Sequence, residues 1–319
     1  MALLTYGDRR VPIAPGEDVL SALLAAGIDA PHSCRSGVCQ TCLHRAPEGE
    51  IPAAAQQGLT EAQKTQGYFL PCVCVPTGPL TVCRIDDARG EAEVRVVALD
   101  RLTPTVLRLC LEPSAPFAYR PGQFLSLVAP DGCIRSYSIA SHPEEQPHLE
   151  LHIRLLPNGR MSGFVAERLS LGDRLHIRGP FGTCFYDEAD RDRPLVLAGA
   201  GTGLAPLWGI LKDAVARGHR GPIRLYHGAR EPAGLYLDDE LRAFARERET
   251  FTYIPCALGA GGPANGDLGA AVLEGEPQPD APAFYLCGGA ELVDRLKRDL
   301  YLRGAKLARL RSDIFLPAS

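Results

Sequence analysis

Apolar and polar positions alternate along much of this chain, and the period of the alternation changes twice. Residues 3–13 alternate loosely about Gly7-Asp8, a hairpin signal. Asp18 to Ala26 departs from that period: Val19, Leu20, Leu23 and Leu24 share one helical face, and Gly27 follows as a stop. A strand is expected near Thr41–Arg45 and another at Leu80-Thr81-Val82-Cys83, with turn-rich chain between them. The polar stretch Asp86–Glu91 reads as a linker. From Ala92 come five short alternating runs, at 94–99, 106–111, 124–128, 149–154 and 173–178, which predict a small antiparallel barrel. Near Pro194 the pattern changes again. Apolar strands at 195–198, 223–227, 252–256 and 284–287 alternate with helical stretches, the first at about 205–217, which predicts a parallel α/β sheet. Residues 259–281, rich in Gly, Pro and Ala, are expected to be loop, and no internal repeat is visible.

Three regions of unlike pattern in 319 residues give a three-domain division at 1–88, 92–191 and 192–319. An apolar content of 45% with 23% charged residues fits a soluble globular chain. No run of about 18 apolar residues exists, so no membrane span is expected. The N-terminus has no basic segment ahead of an apolar one, so no secretory leader is expected either. A net charge of −4 argues against a nucleic-acid partner. Residues 1–88 carry nine acidic and six basic side chains, a bias that suits docking to a basic protein or an ordinary solvated surface.

Eleven cysteines, an odd number spread along the chain, are not a disulfide framework. Three of them stand in Cys34-Arg35-Ser36-Gly37-Val38-Cys39-Gln40-Thr41-Cys42, the C-x4-C-x2-C spacing of a plant-type [2Fe–2S] cluster. Soft thiolates suit iron–sulfur chemistry, and Gly37 suits a loop that must turn sharply. Zinc usually wants a second C-x2-C hook, which is missing. Two residues compete as fourth ligand, Cys72 and Cys74. Beyond the cluster set, Cys74, Cys83, Cys110, Cys133, Cys184, Cys256 and Cys287 read mostly as reduced core thiols, and a cytoplasmic location is expected.

Other motifs carry different chemistry. In Arg135-Ser136-Tyr137-Ser138, the arginine can pair with a pyrophosphate, the tyrosine can cover a flat flavin ring and the serine can hydrogen-bond flavin N5. The same residues would also make a plain edge strand. Gly159-Arg160-Met161-Ser162 starts a predicted helix whose free N–H groups suit a diphosphate. Gly199-Ala200-Gly201-Thr202-Gly203-Leu204-Ala205-Pro206 joins a strand to a helix, where small residues let a dinucleotide approach the backbone. Beyond the next strand, Arg230 could hold a 2′-phosphate, whereas Glu231 would repel one.

These motifs, taken in order, resemble known families. Residues 1–88 resemble the β-grasp ferredoxins, and Leu70-Pro71-Cys72 resembles their Leu-x-Cys segment, which implies Cys34, Cys39, Cys42 and Cys72 as the cluster ligands. From about residue 93 onward the chain resembles the ferredoxin–NADP reductase superfamily. That resemblance implies an antiparallel flavin-binding β-barrel followed by a parallel α/β nicotinamide-binding domain. It implies flavin contacts at Arg135, Tyr137, Ser138, Gly159, Met161 and Ser162, and nicotinamide contacts at Gly199, Gly201, Thr202, Gly203, Pro206, Cys287 and Gly288. Phe284-Tyr285-Leu286-Cys287-Gly288-Gly289 resembles the family's second nucleotide motif, with Cys-Gly-Gly where Cys-Gly-Pro is commoner; the cysteine would lie beside nicotinamide C4. Asp313-Ile314-Phe315 resembles its acidic-x-aromatic ending, with Phe315 as the flavin shield and Leu316-Pro317-Ala318-Ser319 beyond. Ser138, Cys287 and Phe315 are thus the expected catalytic positions.

The order ferredoxin, flavin, nucleotide resembles the NADH-dependent reductase components of multicomponent oxygenases. It implies FAD and NADH, with NADPH the other choice, and an acceptor that is a Rieske dioxygenase, a diiron monooxygenase or another one-electron acceptor protein. A monomer is expected. Other readings are a diaphorase or quinone reductase, a deoxysugar-dehydrase or P450 reductase, and a redox-sensing cluster protein.

Overall fold

The computed structural model of the chain describes residues 2–32, 35, 37, 42–59, 63, 64, 67–84, 91–259 and 266–315. These form two compact units, Met1–Gly90 and Glu91–Ser319.

In the first unit, β1 (Ala2–Tyr6) and β2 (Arg9–Ile13) make the hairpin, followed by α1 (Val19–Ala25). Asp18 caps α1, its carboxylate accepting from the Ser21 N–H at 2.9 Å and the Ser21 hydroxyl at 2.7 Å. The helix buries Val19, Leu20, Ala22 and Leu23, each larger side chain contributing roughly 2 kcal/mol of burial. Three strands follow: β3 (His44–Gly49), β4 (Tyr68–Phe69) and β5 (Leu80–Arg84). The sheet order is β2-β1-β5-β3-β4, with β1 and β5 parallel and the other pairs antiparallel. The strand expected at Thr41–Arg45 starts later and runs further. Its register is fixed by His44 and Arg45 opposite Phe69 and Tyr68, and the ladder to β5 continues to Gly49 opposite Leu80.

The second unit contains two sheets. The first is antiparallel: β6 (Glu91–Thr103), β7 (Val106–Pro113), β8 (Phe124–Val128), β9 (Ile134–Ser138), β10 (Leu149–Arg154) and β11 (Arg174–Phe181), in the order β10-β7-β6-β11-β8-β9. A bridge between Ile139 and Leu151 joins the two ends of that order and closes the barrel. Its interior holds Val94, Leu109, Leu125, Leu151, Ile153 and Ile177. Helix α2 (Arg160–Glu167) adds Met161, Phe164 and Val165 to this core.

The second sheet is parallel. Its strands β12 (Leu195–Ala200), β13 (Ile223–Ala229), β14 (Phe251–Ala257), β15 (Ala283–Gly289) and β16 (Leu310–Phe315) lie in the order β14-β13-β12-β15-β16. Between them run α3 (Leu204–Ala216), α4 (Asp238–Arg246), α5 (Leu268–Gly275) and α6 (Ala290–Leu302). One apolar layer forms with α3 and α4, the other with α5 and α6. The chain winds outward from β12 in one direction and from β15 in the other. The carboxyl ends of these two neighbours therefore form the switch point where such sheets bind ligands.

Helix α5 corrects the expectation that 259–281 is all loop. Asp267 caps it, accepting from the Ala270 N–H at 3.0 Å, and Leu268 and Val272 are buried in the layer shared with Tyr226 and Phe284. A one-sided apolar pair in an Ala- and Gly-rich stretch is a weak periodic signal, and tertiary burial decides the outcome. No helix is long and apolar enough to cross a membrane among the described residues.

Candidate cofactor sites

Cys42 stands just before β3, and Cys72 on a 3-10 turn, Pro71–Val73. Both are buried, and their Sγ atoms lie 3.3 Å apart. Two thiolates on one tetrahedral metal with bonds of about 2.3 Å would sit roughly 3.7 Å apart, so this pair fits a shared iron. Cys34 and Cys39 lie outside the described residues. Gly37, from the same loop, has φ +76° and lies against Val73, where a Cβ would meet Val73 Cγ2 at 3.2 Å. The loop therefore reaches the turn that carries Cys72. Cys74 points elsewhere: it is fully buried in the α1 core, and burial, with Asp18 nearby, pushes its thiol up to about 12. A thiol in that setting is an inert core residue.

On β9 of the barrel, Arg135 and Tyr137 are partly buried and Ser138 is buried. Burial pushes the Tyr137 phenol up, so it stays neutral. Gly159 is the N-cap of α2. The Ser162 hydroxyl accepts from the Leu156 N–H at 3.2 Å and donates to the Gly159 carbonyl at 3.4 Å, fixing the turn into the helix. Gly163 is the first residue whose N–H returns to this turn, to Gly159 O at 2.7 Å. The N–H groups of Arg160, Met161 and Ser162 thus form the open end that suits a diphosphate.

At the switch point, Gly199 and Ala200 end β12, Gly201–Gly203 forms a 3-10 turn, and Pro206 falls in the first turn of α3, where its missing N–H costs nothing. A Cβ on Gly203 would fall on the carbonyl oxygen of Cys287, and one on Gly199 would meet the same oxygen at 3.0 Å. The glycines let the turn lie directly on β15. Cys287 is fully buried, with Cys184 Sγ at 3.9 Å, and burial raises its thiol well above the ordinary value. Gly288 follows it, and Phe315 stands opposite Gly289 at the end of β16. Arg230 and Glu231 are exposed just beyond β13.

Register then brings the two motifs together. Cys287 pairs with Gly199 on one side and with Asp313 on the other. Asp313 Oδ2 accepts a 2.6 Å hydrogen bond from the Ser138 hydroxyl, across 175 positions of sequence. Burial pushes the Asp313 carboxyl up to about 6, against the lowering effect of the Ser138 bond. Barrel serine, last-strand carboxylate and strand cysteine therefore converge at one place. The sequence flagged Asp313 only as part of the ending motif, and Cys184 only as a core thiol; no local pattern marks a residue whose importance comes from a neighbour 103 positions away.

The comparisons with known proteins follow this geometry. A model of the 2Fe-2S iron-sulfur cluster binding domain matches residues 5–77, one of the oxidoreductase FAD-binding domain residues 94–186, and one of the oxidoreductase NAD-binding domain residues 197–298. The reductase subunit of an aromatic O-demethylase from Amycolatopsis sp. is 33% identical over 99% of this chain and 99% of its own length. The chain belongs to this family of iron–sulfur flavoprotein reductase components. The reductase is also 30% identical, over 99% of its length, to the ferredoxin–NAD(P)(+) reductase component of a Pseudomonas putida naphthalene 1,2-dioxygenase system, of which 98% is covered. The crystal structure of an Amycolatopsis cytochrome P450 reductase superposes on all of it and is itself wholly covered, with a TM-score of 0.72 at 31% identity. The fold is the expected one, with its antiparallel and parallel sheets, and the cofactors of the family are a [2Fe–2S] cluster, FAD and NAD(H).

Proposed function

We propose that this reductase takes electrons from NADH, passes them through FAD to the [2Fe–2S] cluster, and delivers them singly to a separate terminal oxygenase. The observation that carries this reading is the convergence of Ser138, Asp313 and Cys287 beside the Gly199–Gly203 turn. Flavin is needed between the other two groups because it can accept an electron pair and release single electrons. In this reading the domains divide at 1–88, 92–191 and 192–319.

The protein's work is positioning. Cys34, Cys39, Cys42 and Cys72 would hold the cluster, a choice supported by the 3.3 Å approach of the last two and the isolation of Cys74. Arg135, Gly159, Met161 and Ser162 would hold the flavin diphosphate side, and Tyr137 would cover the ring. Ser138 would hydrogen-bond flavin N5, with Asp313 behind it to keep the hydroxyl oriented. Gly199, Gly201, Thr202, Gly203, Pro206 and Gly288 would seat the nicotinamide nucleotide, with Cys287 against C4 and Phe315 shielding the flavin until it arrives. Exposed Glu231 beside Arg230 favours NADH over NADPH. A cytoplasmic monomer completes the proposal.

A second reading concerns the acceptor alone. One whole-length relative is the reductase subunit of an aromatic O-demethylase and one whole-length structural match is a cytochrome P450 reductase, which supports a P450 as a further candidate acceptor beside the Rieske and diiron oxygenases. Anaerobic titration with NADH, and separately NADPH, tests the relay. Flavin bleaching plus a reduced-cluster paramagnetic signal is expected, faster with NADH. Bleaching without the cluster signal would overturn the relay. Stopped-flow mixing of the reduced protein with a P450, a Rieske oxygenase or a diiron oxygenase then ranks the acceptors.

A further inference from the structure

Strand β10 uses both of its faces. Leu149, Leu151 and Ile153 turn into the barrel core. Glu150 and His152, on the opposite face, are also buried. Cys110 on β7 stands directly opposite Glu150 in the ladder, and His148 lies just before β10, two residues ahead of Glu150. A thiol, an imidazole and a carboxylate oxygen from these three residues lie within 4.8 Å of one another.

We propose that Cys110, His148 and Glu150 form a site for a zinc-like divalent transition-metal ion, separate from the iron–sulfur cluster. The donor set is one sulfur, one nitrogen and one oxygen. That combination suits zinc rather than the oxygen-loving magnesium and calcium, and three protein ligands leave one coordination position open.

Three further observations fit a site of this kind. First, among the described residues no hydrogen bond engages the Cys110 thiol or the His148 ring, so two of the three donors are uncommitted in the fold. Second, Glu150 is already oriented: its Oε1 accepts from His152 Nε2 at 2.9 Å, and His152 Nδ1 lies 3.2 Å from the Tyr236 hydroxyl. A ligand carboxylate held from behind in this way is what metal sites use to fix geometry. Gln146 Nε2 lies 3.3 Å from the other oxygen and would be displaced or retained as a neighbour. Third, His148 and Gln146 line a groove of about 350 Å³ with Phe117, Tyr119, Pro143 and Pro147, so the His148 side of the site borders solvent-accessible space.

The charges around the site set its conditions. Burial pushes the Cys110 thiol up to about 11, with Glu150 and Asp100 raising it and Arg108 lowering it. Metal binding must therefore release that proton to solvent, and affinity should rise with pH. Lys212 also stands near Glu150, where it offsets part of the site's negative charge. One thiolate and one carboxylate still balance a divalent ion.

The test uses the holoprotein with cluster and flavin in place. It is dialysed into metal-free buffer, titrated calorimetrically with zinc sulfate, and its zinc, iron and flavin are counted after gel filtration. One zinc per chain is expected, with iron and flavin unchanged. His148→Ala, on the groove lip and outside the core, should weaken binding at least tenfold, and Cys110→Ala likewise. Zinc-edge absorption should show one sulfur near about 2.3 Å and lighter ligands near about 2.0 Å. No stoichiometric zinc, equal binding by His148→Ala, or an all-sulfur shell from the cluster cysteines would each overturn the proposal.

Discussion

Cys42 and Cys72, 30 positions apart, come within 3.3 Å inside one small unit. Ser138 and Asp313, 175 positions apart, meet at 2.6 Å between the barrel and the parallel sheet. The first site is built from a loop and a short turn, so its ligand spacing is written almost continuously in the chain. The second needs a closed barrel, a five-stranded sheet and a glycine turn all in register before any of its parts touch. The difference teaches where each site is vulnerable. A local metal site fails by losing a ligand; an assembled one fails by small displacements at points of close approach.

The largest effect expected from this contrast is at the cluster. Cys72→Ser should abolish bound iron and sulfide while leaving the flavin in place, measured by metal and sulfide assay. Cys74→Ser should keep the iron and cost only about 1–3 kcal/mol in stability, the penalty of a buried hydroxyl. If Cys74→Ser loses the cluster and Cys72→Ser retains it, the ligand choice is reversed.

Next is the close approach. Gly203→Ala must push the turn away from the Cys287 carbonyl. A cost of about 1–3 kcal/mol follows from overpacking, and flavin reduction by NADH should slow by about 100-fold through misplacement of the nucleotide. Cluster content should not change. A variant that reduces its flavin at the normal rate would remove the turn from the nucleotide site.

A smaller, pH-dependent effect belongs to Asp313. Its carboxyl titrates near about 6 in the fold and at 3.8 when unperturbed. Between those values the folded state holds more protons than the unfolded one. Asp313 therefore lowers stability progressively as pH rises from about 4 to about 6, and the loss is then constant above that. Asp313→Asn should gain in Tm relative to the parent across that window and then run parallel to it. Ser138→Ala removes a bond that lowers the carboxyl's pKa, so it should move the same transition to higher pH.

The smallest effect expected is at an ordinary cross-strand pair. Arg95 and Glu112 face each other on β6 and β7 with about half of each side chain exposed. Glu112→Ala should change stability by less than about 1 kcal/mol. If it matched the loss in Ser138→Ala, the bond between the sheets would have no special standing.

The two sites were also unequally legible before the fold was known. The C-x4-C-x2-C run and the Gly199–Pro206 turn are short patterns with their own chemistry, and the alternation periods marked both sheets of the second unit. Choosing Cys72 over Cys74 required a family resemblance, because both sit in one apolar stretch; in the fold the 3.3 Å approach of Cys72 to Cys42 separates them. Helix α5 was hidden because Ala and Gly dilute its apolar face. The partner of Ser138 was invisible, since it depends on β16 adding to β15 in one particular register. Pairing of distant strands is decided by the whole core and leaves no local trace.

Strand β16 lies at the end of its sheet, with β15 as its one strand neighbour. Such border strands ordinarily open first and exchange their amide hydrogens fastest. Here Asp313, in the middle of that strand, is fastened to a strand of the other sheet. The border cannot peel away without also letting go of β9. Deuterium uptake in 310–315 should therefore keep pace with that in 134–138, and accelerate in both together when the fastening is removed. Together with the Arg311 pairs to Asp187 and Asp190, the Ser138 hydroxyl turns what would be a loose margin of the nucleotide sheet into a part that opens in concert with the barrel.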